Sequence, residues 1–118
     1  MQRLRCRQRQ PTHPEVHLRR CVFDDRSASL WGTYGTKAGK LQYPHGVAES
    51  IFGSVYVADT YNNRIQKFTF KGMFVTRWGT YGSGDGQFDY PVGVTVASDG
   101  SVYVSDYGNN RIQKFAGE

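Results

Sequence analysis

The sequence predicts an all-β fold built from two copies of one structural unit. Residues 54–68 recur as residues 101–115, and 12 of the 15 paired positions are identical. Each copy has a stretch of β-branched and aromatic residues, a polar turn and a second such stretch, which is the pattern of a β-hairpin. A fixed period of 47 residues made of strands is typical of β-propeller blades.

Seven strands can be placed on this repeat. The motif Trp-Gly-Thr-Tyr-Gly opens each unit at residues 31–35 and 78–82, and a Tyr-Pro pair follows at residues 43–44 and 90–91. Proline donates no hydrogen bond, so each pair is expected to mark the entrance to a strand. The predicted strands are residues 46–49, 54–58, 64–69, 73–78, 93–97, 101–105 and 111–115. The first blade is therefore four-stranded, and the second lacks its last strand.

Three segments follow along the chain. Residues 1–30 form a basic N-terminal segment that we expect to be disordered, and residues 19–30 within it are interpreted as the remnant of an eroded blade. Residues 31–78 form the first blade, and residues 79–118 form the incomplete second blade.

The net charge of +5 is concentrated in the first segment. Residues 1–30 carry seven arginines and three acidic residues, a net of +4, whereas residues 31–118 carry eight basic and seven acidic residues, a net of +1. Any RNA contact is therefore expected from the tail and not from the blades. The simpler interpretation, a solvated tail without a dedicated partner, is favoured because most charge runs are solvated. The candidate tail residues are Arg3, Arg5, Arg7, Arg9, Arg19 and Arg20.

The same segment contains four side chains of the type that binds zinc. These are Cys6, His13, His17 and Cys21. Their spacing matches no zinc module and includes no Cys-x-x-Cys pair, so a metal site here is not favoured. A disulfide between the two cysteines would staple only the N-terminal segment.

No apolar run in the sequence approaches the length of a membrane span, and the first residues lack the apolar stretch of a secretory signal. We therefore expect a cytoplasmic protein that makes no membrane contact.

Each hairpin turn carries the same polar set, Asp…Asn-Asn-Arg. Its members are Asp59, Asn62, Asn63 and Arg64 in the first copy and Asp106, Asn109, Asn110 and Arg111 in the second. The aspartate can accept hydrogen bonds from the backbone of the turn that follows it, and asparagine tolerates a left-handed conformation. The arginine is placed either to reach back to the carboxylate or to lie along the neighbouring blade. Because the set recurs at one blade position, we interpret it as scaffold and predict no catalytic residue.

The run Gly-Gln-Phe-x-x-Pro-x-Gly-Val at residues 86–94, followed by Val-Tyr-Val-x-Asp-x-x-Asn-Asn-Arg-Ile-Gln-Lys-Phe at residues 102–115, resembles an NHL repeat. The first copy has Lys40-Leu41 in place of Gln87-Phe88. The resemblance covers residues 31–118 and implies a six-bladed propeller. Two blades in place of six indicate either a fragment of a longer propeller or a homo-oligomer of three copies that closes a ring.

The resemblance implies several functions. NHL propellers bind proteins or RNA, often within tripartite-motif ubiquitin ligases, although no RING or B-box pattern occurs here. Other branches are peptidyl-hydroxyglycine lyases, which are zinc enzymes, and bacterial extracytoplasmic sensor domains. The repeats contain no Ser/His/Asp set, paired acids or phosphate loop. We therefore expect a non-catalytic interaction scaffold with a protein partner and no cofactor.

His45 is the one candidate metal ligand in the repeats. It follows Pro44 at the entrance to the first inner strand, where the second copy has Val92. The lyase branch places a zinc-binding histidine directly after that proline. One histidine cannot hold zinc, but a ring of three copies would point three imidazoles at the axis. Zinc is therefore predicted only for a trimer, and a solvated His45 is the favoured interpretation.

Overall fold

The computed structural model describes residues 4–6, 21–23 and 30–117. The chain divides into two compact units, Met1–Trp31 and Gly32–Glu118. In the first unit, strand β1 (Leu4–Cys6) pairs antiparallel with β2 (Cys21–Phe23), and Cys6 stands opposite Cys21. Most of the segment predicted to be disordered, and of the predicted blade remnant, lies outside the described residues.

The first blade is a four-stranded antiparallel sheet. Its strands are β3 (Val47–Glu49), β4 (Ser54–Asp59), β5 (Arg64–Thr69) and β6 (Phe74–Trp78), hydrogen-bonded in that order. A 3₁₀ turn at Thr60–Asn62 joins β4 to β5, and Asn63 completes the reversal at φ 52°. Asparagine tolerates this left-handed conformation, so the predicted hairpin forms without a glycine.

The second blade repeats this arrangement with three strands. Strands β7 (Pro91–Val96), β8 (Val102–Asp106) and β9 (Arg111–Phe115) pair antiparallel in that order. A 3₁₀ turn at Tyr107–Asn109 and Asn110 at φ 55° close its hairpin. The all-β class is confirmed, and the predicted boundaries of all seven blade strands are correct to within two residues. The largest difference is at β7, which begins at Pro91 because a proline is accepted as the first residue of a strand.

The core lies where the two blades face each other. Strand alternation places side chains of β4 and β5 on one face of the first blade, opposite valines of β8. The fully buried members of this cluster are Tyr56, Ala58, Ile65, Phe88, Val102 and Val104. Trp78 at the end of β6 extends the cluster, because its ring lies 6.0 Å from Tyr56 and 5.4 Å from Phe115. The blades therefore share one hydrophobic core.

The inner strands of the two blades pass each other closely at Gly46. A Cβ atom on this glycine would lie 2.5 Å from the carbonyl oxygen of Val92 and 3.2 Å from the Cα of Gly93. Two hydrogen bonds also cross here, from Thr60 Oγ1 to the Pro91 carbonyl at 2.7 Å and from the Tyr90 N–H to Asn63 Oδ1 at 2.8 Å. The blades are therefore held together by polar contacts at one end and by apolar packing along their faces. Within the described part of the chain, no helix has the length and apolar character that crossing a membrane requires.

Candidate functional site

The end of β4 carries a carboxylate that binds the preceding loop. Asp59 is fully buried, and its Oδ1 accepts a hydrogen bond from the backbone N–H of Gln42 at 2.7 Å. Its Oδ2 accepts three hydrogen bonds, from the side chains of Asn62, Arg64 and Gln66 at 3.0, 2.7 and 3.0 Å. Four donors therefore satisfy this buried charge, as its burial requires.

This geometry differs from the predicted one, in which the aspartate accepts hydrogen bonds from the backbone of the turn that follows it, because the donor to Asp59 in that turn is the Asn62 side chain. The 3₁₀ turn closes through its own backbone, since the Asn63 N–H donates to the Thr60 carbonyl at 3.1 Å. The side chain of Asp59 makes no capping bond to the backbone of the turn. The carboxylate is therefore available to organise residues 35–42, the loop that leads into the blade.

Arg64 and Gln66 fasten the same loop to the sheet. The guanidinium of Arg64 donates to the carbonyl oxygens of Thr36, Lys37 and Lys40 at 2.7, 3.1 and 2.8 Å. Gln66 Nε2 donates to the Lys40 carbonyl at 2.6 Å. Arg64 and Gln66 are themselves buried, so the loop gains fixed partners from the interior of the blade.

The second blade repeats these contacts. Asp106 accepts hydrogen bonds from the Asp89 N–H and from the side chains of Asn109, Arg111 and Gln113 at 2.7, 2.9, 2.8 and 3.3 Å. We call the eight side chains of the two sets the carboxylate network: Asp59, Asn62, Arg64, Gln66, Asp106, Asn109, Arg111 and Gln113.

The electrostatics of Asp106 suit a structural role. Burial raises its pKa, but hydrogen bonds from the Asp89 N–H, Asn109 and Arg111, with the charge of Arg111, outweigh burial and hold the pKa below its ordinary 3.8. A buried carboxylate that stays ionised and saturated is poorly placed to exchange protons with a substrate.

Sequence reasoning missed Gln66 and Gln113, which complete the carboxylate network. Both lie in the Arg-Ile-Gln-Lys-Phe segment that is identical in the two copies. Identity at a polar strand position is the signal that could have identified them, because a buried glutamine needs fixed hydrogen-bond partners.

Tyrosine side chains project from the end of the blades that the carboxylate network stabilises. They come from the loops before β3 and β7 and from the turns after β4 and β8. We call this set the tyrosine row: Tyr34, Tyr43, Tyr61, Tyr90 and Tyr107. Four of its members are between 50% and 69% exposed, and only Tyr90 is half-buried.

The rings of the tyrosine row touch in sequence across both blades. Tyr34 lies 6.1 Å from Tyr43 between ring centroids, and Tyr43 lies 4.7 Å from Tyr61. The row continues from Tyr61 to Tyr90 at 5.5 Å and from Tyr90 to Tyr107 at 5.9 Å. These separations are typical of interacting aromatic pairs. The result is a continuous, exposed aromatic surface that spans the boundary between the blades.

Two members of the row have an unusual backbone conformation. Tyr43 and Tyr90 have φ values of 49° and 61°, a region that bulky residues rarely adopt. Strained residues that the surrounding structure holds in place are often found at binding sites.

The phenol of Tyr90 also has a shifted pKa. The largest cause is a hydrogen bond with the Tyr61 side chain, followed by burial and by the neighbouring phenols of Tyr61 and Tyr107. Together they raise the pKa of Tyr90 above 10.0.

His45 lies close to this row. His45 is exposed, and its backbone N–H donates to the Ala58 carbonyl at 3.1 Å. Its ring centroid lies 5.8 Å from that of Tyr90 in an edge-on arrangement. Within the described part of the chain, no group of three or more His, Cys, Asp or Glu residues is arranged to hold a metal ion. The trimer-dependent zinc site at His45 stays a prediction.

The other predicted site residues lie largely outside the described residues. Arg5 and the two cysteines fall within β1 and β2, where the backbone alone is described. The remaining ones are Arg3, Arg7, Arg9, His13, His17, Arg19 and Arg20.

Comparison with known proteins agrees with this architecture. The family model of the NHL repeat matches residues 41–68 and 88–115. A solved structure of a streptogramin B lyase superposes with a TM-score of 0.53 over 73% of this chain, at 22% sequence identity. This chain spans 26% of that structure, and the similarity shows the fold alone. No curated protein matches the sequence. Each matched segment contains one complete copy of the Asp…Asn-Asn-Arg set, so the two segments that match the NHL repeat coincide with the two copies seen in the sequence.

Proposed function

We propose that this chain is a non-catalytic interaction module that binds an extended segment of a partner protein across the tyrosine row. The observation that carries the proposal is the unbroken series of ring contacts from Tyr34 to Tyr107, in which four of the five rings are exposed. Tyrosine offers a large apolar ring and a hydroxyl with few rotatable bonds, so it binds partners at a low entropy cost.

The carboxylate network supports this function by fixing the platform. Tyr43 directly follows Gln42, whose N–H is bound by Asp59, and Tyr61 lies between the network residues Asp59 and Asn62. Because these backbones are held before a partner arrives, little ordering remains to be done on binding.

The charge of the blades favours protein over RNA at this surface. Single-stranded RNA is bound by aromatic stacking combined with a basic groove. Residues 31–118 have a net charge of only +1, and two of their eight basic side chains, Arg64 and Arg111, are engaged in salt bridges with Asp59 and Asp106. The row therefore has stacking surfaces without the positive field that a phosphate backbone requires.

The geometry gives no support to an enzymatic role for these residues. The two buried aspartates are saturated by hydrogen bonds, and the lyase activity of the similar solved structure belongs to that protein.

The test is a selection of peptides from a random display library against the purified chain. Selected peptides should bind the parent chain, and Tyr61→Ala should weaken them about tenfold or more, as expected for a central aromatic anchor. Tyr61→Phe, which keeps the ring, should retain most of the affinity. Phe70→Ala is the matched control, because Phe70 is 61% exposed and follows β5 at the opposite end of the sheet.

Two results would overturn the proposal. One is a set of peptides that binds Tyr61→Ala as tightly as the parent chain. The other is tight binding of oligouridylate by residues 21–118 that Tyr61→Ala abolishes, since the row would then read RNA.

A further inference from the structure

The face of the second blade formed by β8 and β9 is exposed, whereas the equivalent face of the first blade, formed by β4 and β5, is buried against the second blade. Ile65 and Ile112 occupy the same repeat position, yet Ile65 is fully buried and Ile112 is 65% exposed. Tyr56 and Tyr103 form a second such pair, in which Tyr56 is fully buried and Tyr103 is half-buried. The same sequence therefore has two environments.

The cover over Ile65 comes from two places. Trp78 of β6 stands opposite Ile65 in the sheet, and Phe88 of the second blade belongs to the same buried cluster. Among residues 30–117, no strand pairs with the outer edge of β9. Ile112 therefore has the chemistry of an interior residue on an exposed surface.

The surface of the second blade that covers the first blade has an equivalent surface on the first blade, on its β3 side. Val94 of β7 packs against the buried cluster, and Val47 of β3 is its repeat equivalent but is 66% exposed. Leu41, the equivalent of Phe88, is half-buried. The chain thus has two exposed surfaces, the β3 side of the first blade and the β8–β9 face of the second, and these are equivalent to the two surfaces that pack together between the blades.

We infer that a second copy of this chain docks head-to-tail, with the β3 side of one copy against the β8–β9 face of the other. The occupant is a second copy because the contact continues an interface that already exists between the two blades. Such a contact is heterologous, so an open assembly keeps one free β3 side at one end and one free β8–β9 face at the other until a ring closes.

The residues equivalent to a polar contact between the two blades have backbone φ values similar to those of the residues that make it. Within the chain, the Tyr90 N–H donates to Asn63 Oδ1 at 2.8 Å. Tyr43 and Asn110 are the equivalents of Tyr90 and Asn63, and their φ values of 49° and 55° match those of 61° and 52°. We therefore expect the Tyr43 N–H of one copy to donate to Asn110 Oδ1 of the next with the φ values that both residues already have.

The repeat positions that differ predict an interface weaker than the internal one. Tyr107 replaces Thr60, whose hydroxyl donates to the Pro91 carbonyl across the blades. Glu49 replaces Val96, which packs against the buried cluster. Association should therefore depend on concentration.

The test measures the mass of the 118-residue chain by light scattering across a concentration series. The mass should rise above 13.4 kDa with concentration, and either Ile112→Arg or Val47→Arg should return it to that of the monomer. Both residues are exposed, so thermal unfolding of the diluted variants should match that of the parent chain. Val75→Arg is the control, because Val75 lies on β6 and is 47% exposed.

A mixture of the two variants tests the head-to-tail geometry. Ile112→Arg keeps an intact β3 side and Val47→Arg keeps an intact β8–β9 face, so the pair should form a dimer that neither forms alone. A parent chain that stays monomeric at every concentration would overturn the inference, and so would a mixture that stays monomeric. The peptide-binding test with Tyr61→Ala is independent of these outcomes.

Discussion

The Nε of Arg64 lies 2.7 Å from Oδ2 of Asp59, and the two side chains are only 9% and 0% exposed. The equivalent pair, Arg111 and Asp106, has the same geometry at 2.8 Å, but the arginine is 29% exposed. The same ion pair therefore occurs in both blades. It is buried from solvent in the first blade, and in the second blade its arginine is partly exposed to water. Loss of one partner should cost more where the other is left without solvent.

Asp59→Asn should lower the free energy of unfolding by about 3–5 kcal/mol, because it strands the charge of Arg64 in the interior. Asp106→Asn should cost clearly less, since water can solvate Arg111. Urea unfolding followed by circular dichroism measures both values. Equal losses, or a larger loss for Asp106→Asn, would contradict this account.

The stability of the chain should fall in acid. The folded-state pKa of Asp106 is depressed, so its contribution is complete above the unfolded pKa of about 3.9 and disappears as the pH falls through the folded value. Urea midpoints measured between pH 7 and pH 2 should be steady down to about pH 5 and decline below it. Asp106→Asn should be less stable at neutral pH and should decline less steeply. An equally steep decline would show that other carboxyl groups control the acid response. Asp99, whose pKa is lowered mainly by the Ser101 N–H, is the first alternative.

Gly46→Ala should destabilise the contact between the blades. The new methyl group would overlap the Val92 carbonyl oxygen, which is backbone and cannot rotate away, so a loss of about 1–3 kcal/mol is expected. Gly93→Ala is the matched control at the equivalent position, where the closest atom is the Ser105 Cβ at 3.3 Å. Thermal unfolding should show the larger loss for Gly46→Ala, and the reverse order would contradict the packing described here.

Any binding of RNA should depend on the tail. Deletion of residues 1–20 removes six of the fifteen basic side chains, Arg3, Arg5, Arg7, Arg9, Arg19 and Arg20. The affinity for oligouridylate should then be lost, and the full chain should bind less tightly as salt rises. Fluorescence anisotropy at several salt concentrations measures both effects. A truncated chain that keeps its affinity would place the RNA contact on the blades.

The strands and the Asp…Asn-Asn-Arg set were predictable because both are local. Strand composition and turn chemistry lie within a few residues of each other, and the repeat shows them twice. The bond from Asp59 to Gln42 was not predictable in this way, since its partner stands 17 residues earlier in a loop without periodicity. The tyrosine row was missed for a related reason. A residue before proline is normally extended, and nothing local indicates that Tyr43 and Tyr90 have positive φ.

The span of the carboxylate network bears on how such chains change over generations. In the first blade its hydrogen bonds run from the Gly35 carbonyl to the Gln66 amide, and in the second from the Gly82 carbonyl to the Gln113 amide. A genetic crossover between codons 67 and 81 would therefore cut none of them. A duplication of the 47 residues that end in that interval would insert a blade with its internal hydrogen bonds complete, because such a segment contains all of residues 35–66. Selection would then have to adapt only the new faces between blades.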